Sequence, residues 1–158
     1  MATQRWLSTT SWLVFGSREL LAKWPCDAAD GILAQISDSV ALWNYQNCPC
    51  VILNDEPLDT AMIEIPGGIA FVRWGGADSS HDLLHAARHT LAHELFDTVG
   101  SFVIAHGDYV LFDALMGDCS DTAFEPIAVA LPAGAYTLST ARISAGAQGE
   151  VISLIRAR

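Results

Sequence analysis

Between Ala61 and Trp74 the sequence reads AMIEIPGGIAFVRW, two β-favouring runs joined through Pro66-Gly67-Gly68. Glycine reaches positive φ without a steric penalty, so this junction predicts a hairpin. Alternation sets its faces. Met62 and Glu64 oppose Ile63 and Ile65; Ile69, Phe71 and Arg73 oppose Ala70, Val72 and Trp74. Arg73, at the end of the return strand and ahead of Gly75-Gly76-Ala77-Asp78, is a polar handle in an apolar frame.

The segments on either side extend this β pattern. Short strands are expected over Gln4 to Ser8 and Ser11 to Phe15, followed by a two-turn helix with Ser17 as N-cap and Pro25 as stop. Asp27 to Asp38 reads as a short helix or an irregular loop. Val40 to Tyr45 alternates as a strand and turns at Gln46-Asn47 into Cys48 to Leu53, which breaks at Asn54-Asp55-Glu56-Pro57. These runs predict a β-meander of about four strands from Val40 to Trp74. A long helix follows Asp78, with Ser79 and Asp82 as a capping box and Leu84, Ala87, Leu91 and Leu95 as its core stripe. Strands return at Ser101 to Ala105 and Tyr109 to Ala114, with a turn at His106-Gly107-Asp108 and an acidic loop over Met116 to Ala123. Two hairpins close the chain, Ile127 to Leu131 with Ala135 to Ile143, and that strand with Glu150 to Arg156. Strands, helix, strands without βαβ alternation predict one α+β domain over residues 1–158. Its sheet is mainly antiparallel, in meander and hairpins, with one long helix and one short N-terminal helix.

Asp55, Glu56, Pro57, Leu58 and Thr60, the hairpin ending at Arg73-Trp74, and Ala77-Asp78 opening a helix together resemble the immunity protein 21 family. The resemblance extends towards both ends, through Trp6, Leu20-Leu21 and the PAGAY turn near Pro132. Members of that family are encoded beside bacterial polymorphic toxins and protect the producing cell. The resemblance therefore implies a toxin domain as partner and no catalytic activity.

Charge is uneven along the chain. From Asn54 to Glu125 there are 13 acids against two bases, Arg73 and Arg88, so the middle of the chain holds the whole of the formal −10. Such a field repels phosphate backbones, which disfavours nucleic-acid binding, and steers a basic protein partner. Ordinary solubility is the commoner reason for such acidity, and net charge alone favours it. The early residues carry no export pattern and no apolar run approaches the ~20 residues of a membrane helix, so a cytoplasmic protein with reduced cysteines is expected.

Candidate chemistry is sparse. His81, His85, His89 and His93 recur every four residues and drift by about 40° per step, forming a slanted stripe on the long helix. His81 and His93 would lie about 18 Å apart, so no more than two neighbours can share a metal unless other elements add ligands. His89-x-x-x-His93-Glu94 also lacks the internal glutamate of HExxH. A polar flank that happens to use histidine is the commoner origin of such a stripe, and a contact sensitive to pH between 5 and 8 is another. Cys48-Pro49-Cys50 is CxC, and with Cys26 and Cys119 fits core packing better than redox or metal work. Asp55 and Glu56 point opposite ways on an extended chain, unlike a glycosidase pair, and the Asp118/Asp121 loop lacks the EF-hand rhythm. GxSxG, Walker and GxGxxG motifs are absent.

Three functions follow. The first is an immunity protein that binds and occludes a cognate toxin through an acidic surface, without cofactor. Its partner-binding candidates are Asp55, Glu56, Asp59, Arg73, Trp74 and Asp78. In an alternative role Arg73 pairs with an internal carboxylate such as Asp55 or Asp113. The second is a metal-binding protein or metal-dependent hydrolase using the histidine stripe. The third is a small-molecule-binding β-domain, which requires a preformed apolar cavity.

Overall fold

The structure is a computed structural model that describes residues 4–9, 12–54, 58–105, 107–118, 124–143 and 146–158. In chain order its elements are β1 (Leu13–Ser17), α1 (Arg18–Lys23), a 3-10 turn (Cys26–Ala28), α2 (Ala29–Leu33), β2 (Val40–Tyr45) and β3 (Cys48–Leu53). β4 (Thr60–Ile65), β5 (Gly68–Gly76), α3 (Ser80–His93), β6 (Asp97–Ile104) and β7 (Asp108–Asp113) follow, then β8 (Ile127–Ala130), β9 (Gly134–Ile143) and β10 (Gln148–Arg156). The class is α+β with antiparallel pairing, as the order of runs predicts.

Local chemistry sets the boundaries. Ser17 Oγ accepts the Leu20 amide at 3.1 Å and starts α1; Trp24 already has extended dihedrals ahead of Pro25. Gln46 and Asn47 adopt φ of 48° and 64°, the left-handed pair that a two-residue hairpin turn requires. In the β4–β5 hairpin the left-handed residue is Gly67, at φ 82° after Pro66, so Gly68 is already strand. Ser79 Oγ accepts the Asp82 amide at 3.1 Å and donates to its carboxylate at 2.9 Å, which fixes the start of α3.

Pairing departs from the local hairpin rule. One sheet has the order β2-β3-β1-β7-β8, the other β4-β5-β10-β9-β6. The expected meander from Val40 to Trp74 is therefore two hairpins in two different sheets. β8 pairs with β7 and not with the adjacent β9, so the first of the two closing hairpins does not form; β9 and β10 do pair. The expected strand over Gln4 to Ser8 reduces to a single bridge at Leu7. Period-2 patterning locates a strand but carries nothing about which edge it will join.

The described residues fall into two compact units. The α3 unit lies within Met1–Trp6, Leu58–Ser101 and Tyr136–Arg158, and the α1 unit within Leu7–Pro57 and Phe102–Ala135. In the α1 unit Leu20, Trp24, Ala29 and Ile32 cover Val14, Cys50, Ile52 and Phe112 of the sheet. Trp24 meets Trp12 and Phe112 edge-on and donates its indole N–H to the Ala114 carbonyl at 2.8 Å, so a large apolar ring is buried with its polar atom satisfied. In the α3 unit Leu83, Ala86 and Ala87 pack on Ile63, Ala70, Val72, Ile143 and Val151. The predicted core stripe of α3 is thus displaced: Leu83, Ala86, Ala87 and Thr90 are buried, Leu84 and Leu91 are marginal, and Leu95 is 98% exposed beyond the helix end. Thr90 can lie inward because its hydroxyl donates to the Ala86 carbonyl at 3.0 Å.

Two glycines test this packing in opposite directions. A Cβ at Gly68 would run into the Leu154 carbonyl on β10, whereas one at Gly31 in α2 meets nothing within 4 Å. Gly68→Ala should lower the unfolding free energy by about 2 kcal/mol or more. Gly31→Ala should raise it by about 0.5–1 kcal/mol. Urea denaturation of both variants checks the pair of signs.

Candidate partner-binding surface

The open end of the β4–β5 hairpin brings several of the sequence candidates together. The Trp74 amide donates to the Asp59 carbonyl at 2.9 Å, which sets Asp59 beside the last turn of the return strand. Trp74 is half-buried and lies edge-on to Trp6, with ring centres 5.1 Å apart at 62°. Asp59 and Asp78 are both exposed, and Asp82 follows them in the first turn of α3. An amphipathic aromatic pair among carboxylates results, a composition suited to a protein interface. Trp6 was not among the sequence candidates, because its ring reaches Trp74 only through tertiary packing. Asp55 and Glu56 lie outside the described residues.

Arg73 has a different environment. It is completely buried, and its Nε donates to Thr60 Oγ1 at 3.3 Å. The Thr60 hydroxyl in turn donates to the Leu58 carbonyl at 3.0 Å. Register places Thr60 directly across β4 from Arg73, Glu150 directly across β10, and Arg142 across β9 from Glu150. Beyond Thr60, the transverse row of Arg73, Glu150 and Arg142 alternates in charge on one face of the sheet, an arrangement that favours pairing in register. Glu150 is distant in sequence and escaped notice for that reason. Of the carboxylates that the sequence suggested, Asp113 ends β7 in the α1 unit. There it accepts the Thr9 hydroxyl at 2.8 Å and the Leu115 and Met116 amides at 2.8 and 3.0 Å.

The tertiary partition also moves the charge. Among the described residues the α3 unit has seven acids and six bases, and the α1 unit eight acids and two bases. Those two bases are engaged: Lys23 Nζ lies 2.8 Å from Glu19, and Arg18 Nε 3.5 Å from Asp108. The hydrogen bond to Lys23 holds the Glu19 carboxyl below its ordinary range and raises the Lys23 amine. Asp27, Asp30 and Asp38 remain exposed on and after the helical segments.

The histidine stripe faces solvent along its whole length, with the His89 and His93 rings 4.5 Å apart and tilted by 47°. Among the described residues no group of three or more His, Cys, Asp or Glu side chains is placed to hold a metal ion. At the other end of the hairpin Ile65, Pro66, Leu91, Ala92 and Ile155 line an open groove of about 380 Å³ with Arg88 on its rim. Cys48 and Cys50 are buried and Cys26 partly so, all in the apolar core of the α1 unit. Burial pushes the Cys50 thiol up to about 12, and burial likewise raises Cys26. The raised thiols of Cys50 and Cys26 stay protonated near neutrality, which fits packing and not metal or redox chemistry.

A family model described as Immunity protein 21 matches residues 29–149, well over half of the chain. The chain belongs to that family. The match begins after Trp6 and Leu20-Leu21 but takes in Asp55 to Asp78, the histidine stripe and the PAGAY turn. No curated protein and no solved structure matches the chain. No helix of the described residues is long and apolar enough to cross a membrane.

Two outcomes follow for this family member. Arg73→Ala should lower the unfolding free energy by about 3–5 kcal/mol in denaturant melts, because it strips a buried hydrogen-bonded charge from the middle of a sheet. Iodoacetamide at pH 8.5 should leave Cys50 unlabelled in the native protein and label it in urea, as mass spectrometry of the peptides would show. The sign in pH is set by the raised thiol. Above pH 9 the unfolded thiol ionises while the folded one does not, so this group's contribution to stability falls as pH rises towards 12.

Proposed function

We propose that the protein is an immunity protein that binds a cognate polymorphic-toxin domain in the cytoplasm and neutralises it by occlusion, without catalysis or cofactor. The observation that carries this reading is the family match across residues 29–149. Asp59, Trp74 and Asp78 are the proposed contact residues, with Trp6 added by its packing on Trp74; Asp55 and Glu56 remain candidates from sequence. Arg73, wholly buried, serves this surface by holding the strand that presents Trp74. The proposed partner is basic where it meets this protein. Uncompensated carboxylates, Asp59 and Asp78 here and Asp27, Asp30 and Asp38 on the α1 unit, would then raise the association rate above all.

Calorimetry with the toxin domain encoded by the neighbouring gene tests the reading. One-to-one binding that weakens between 50 and 500 mM salt is expected, and in stopped-flow mixing the double variant Asp59→Asn, Asp78→Asn should associate about tenfold more slowly. Absence of binding to that domain would overturn the assignment. Tight binding unaffected by salt would keep the immunity role and remove the electrostatic part of it.

A further inference from the structure

The four histidines of α3 are equivalent in spacing but not in arrangement. Only one adjacent pair, His89 and His93, has its rings in contact among the described residues, with centres 4.5 Å apart and planes at 47°. Both side chains are exposed, one turn apart on a helix whose opposite side is anchored by Leu83, Ala86, Ala87 and Thr90. Their backbone positions are therefore held while both rings remain open to solvent.

That separation has a chemical meaning. Imidazole nitrogens bind divalent transition metals at about 2.0–2.1 Å, and the ring centre lies roughly 1.1 Å further along the same line. Two imidazoles sharing one ion at a right angle then hold their centres about 4.5 Å apart, and a tetrahedral angle opens this to about 5.2 Å. At the observed 4.5 Å the two rings are close enough to share one ion at a right angle once a nitrogen of each turns towards it. Right-angled nitrogen donors are the geometry of tetragonal Cu²⁺ and Ni²⁺, and imidazole suits both ions.

From this geometry we infer that His89 and His93 form a two-point chelate for a divalent transition-metal ion of the copper and nickel class. No third His, Cys, Asp or Glu among the described residues is gathered with them, so the other coordination positions are left to water or to a donor from another molecule. The site is thus a surface capture point, unlike the closed four-ligand sites that stabilise folds and unlike a hydrolytic centre. Pairing by sequence spacing alone gives three equal candidates, His81 with His85, His85 with His89, and His89 with His93. Side-chain placement selects the last.

The test is a Ni²⁺ titration of the chelator-stripped full chain by calorimetry, in the wild type and in His81→Ala, His85→Ala, His89→Ala and His93→Ala. All four positions are exposed, so circular dichroism should show the same fold in every variant. His89→Ala and His93→Ala should each weaken binding by about tenfold or more, and His81→Ala and His85→Ala by less than about twofold. Equal affinity in all five proteins would overturn the inference, since the ion would then sit elsewhere. A loss on His85→Ala with none on His93→Ala would overturn the choice of pair. Wild-type protein that takes up no Ni²⁺ would overturn the site altogether.

Discussion

The first and the last strands of the chain are the middle strands of the two sheets. β1 lies between β3 and β7, and β10 between β5 and β9, each hydrogen-bonded on both edges. A central strand buries both faces and satisfies both rows of backbone groups, so its removal exposes two edges at once. Neither sheet is complete until sequence-distant segments have met. This fold is rich in non-local pairing, a topology associated with slow and cooperative folding.

Arg73 shows what that topology does to an individual side chain. On a free hairpin it would be a solvated cation at a strand end. In the folded chain it is wholly buried, hydrogen-bonded to Thr60 and set opposite Glu150 on β10. The one-residue irregularity between Gln148 and Gly149 occurs beside it, where Gly149 lets β10 approach the Arg73 carbonyl closer than any Cβ would permit. Burial of charge costs heavily unless it is paired and hydrogen-bonded, and within the sheet Arg73 is hydrogen-bonded to Thr60 and set in register opposite Glu150. The neighbouring Trp74, pointing to the opposite face, is left half-exposed. One residue of alternation thus separates a structural cation from a surface aromatic.

Much of the local structure was legible beforehand. β2 and β3 fall on the predicted residues, the turn between them falls at Gln46-Asn47 as expected, and Ser17 and Ser79 cap their helices. Each of these depends on neighbours within a few residues. The two departures in strand pairing share one cause as well. The meander across residues 53–60 and the hairpin joining β8 to β9 were both inferred from adjacency in sequence, and both are places where the chain changes sheet. On α3 the expected Ala87 is buried and Leu84 and Leu91 pack at its margin, but Leu83, Ala86 and Thr90 join the buried face and Leu95 does not. The surface the helix meets is not specified by its own periodicity.

The sequence by itself determined most of the strands, the turns, the caps and the family, since these follow from side-chain alternation, backbone restrictions and a pattern of residues. It also determined the total charge. Tertiary structure decided which sheet each strand joins, that Arg73 is interior, that Trp6 meets Trp74, that the acid surplus falls to the α1 unit, and that two of four evenly spaced histidines touch. The physical reason is the range of the forces. Capping bonds and φ/ψ preferences act over a few residues, whereas strand partnership and burial depend on surfaces that exist only once the whole chain has packed.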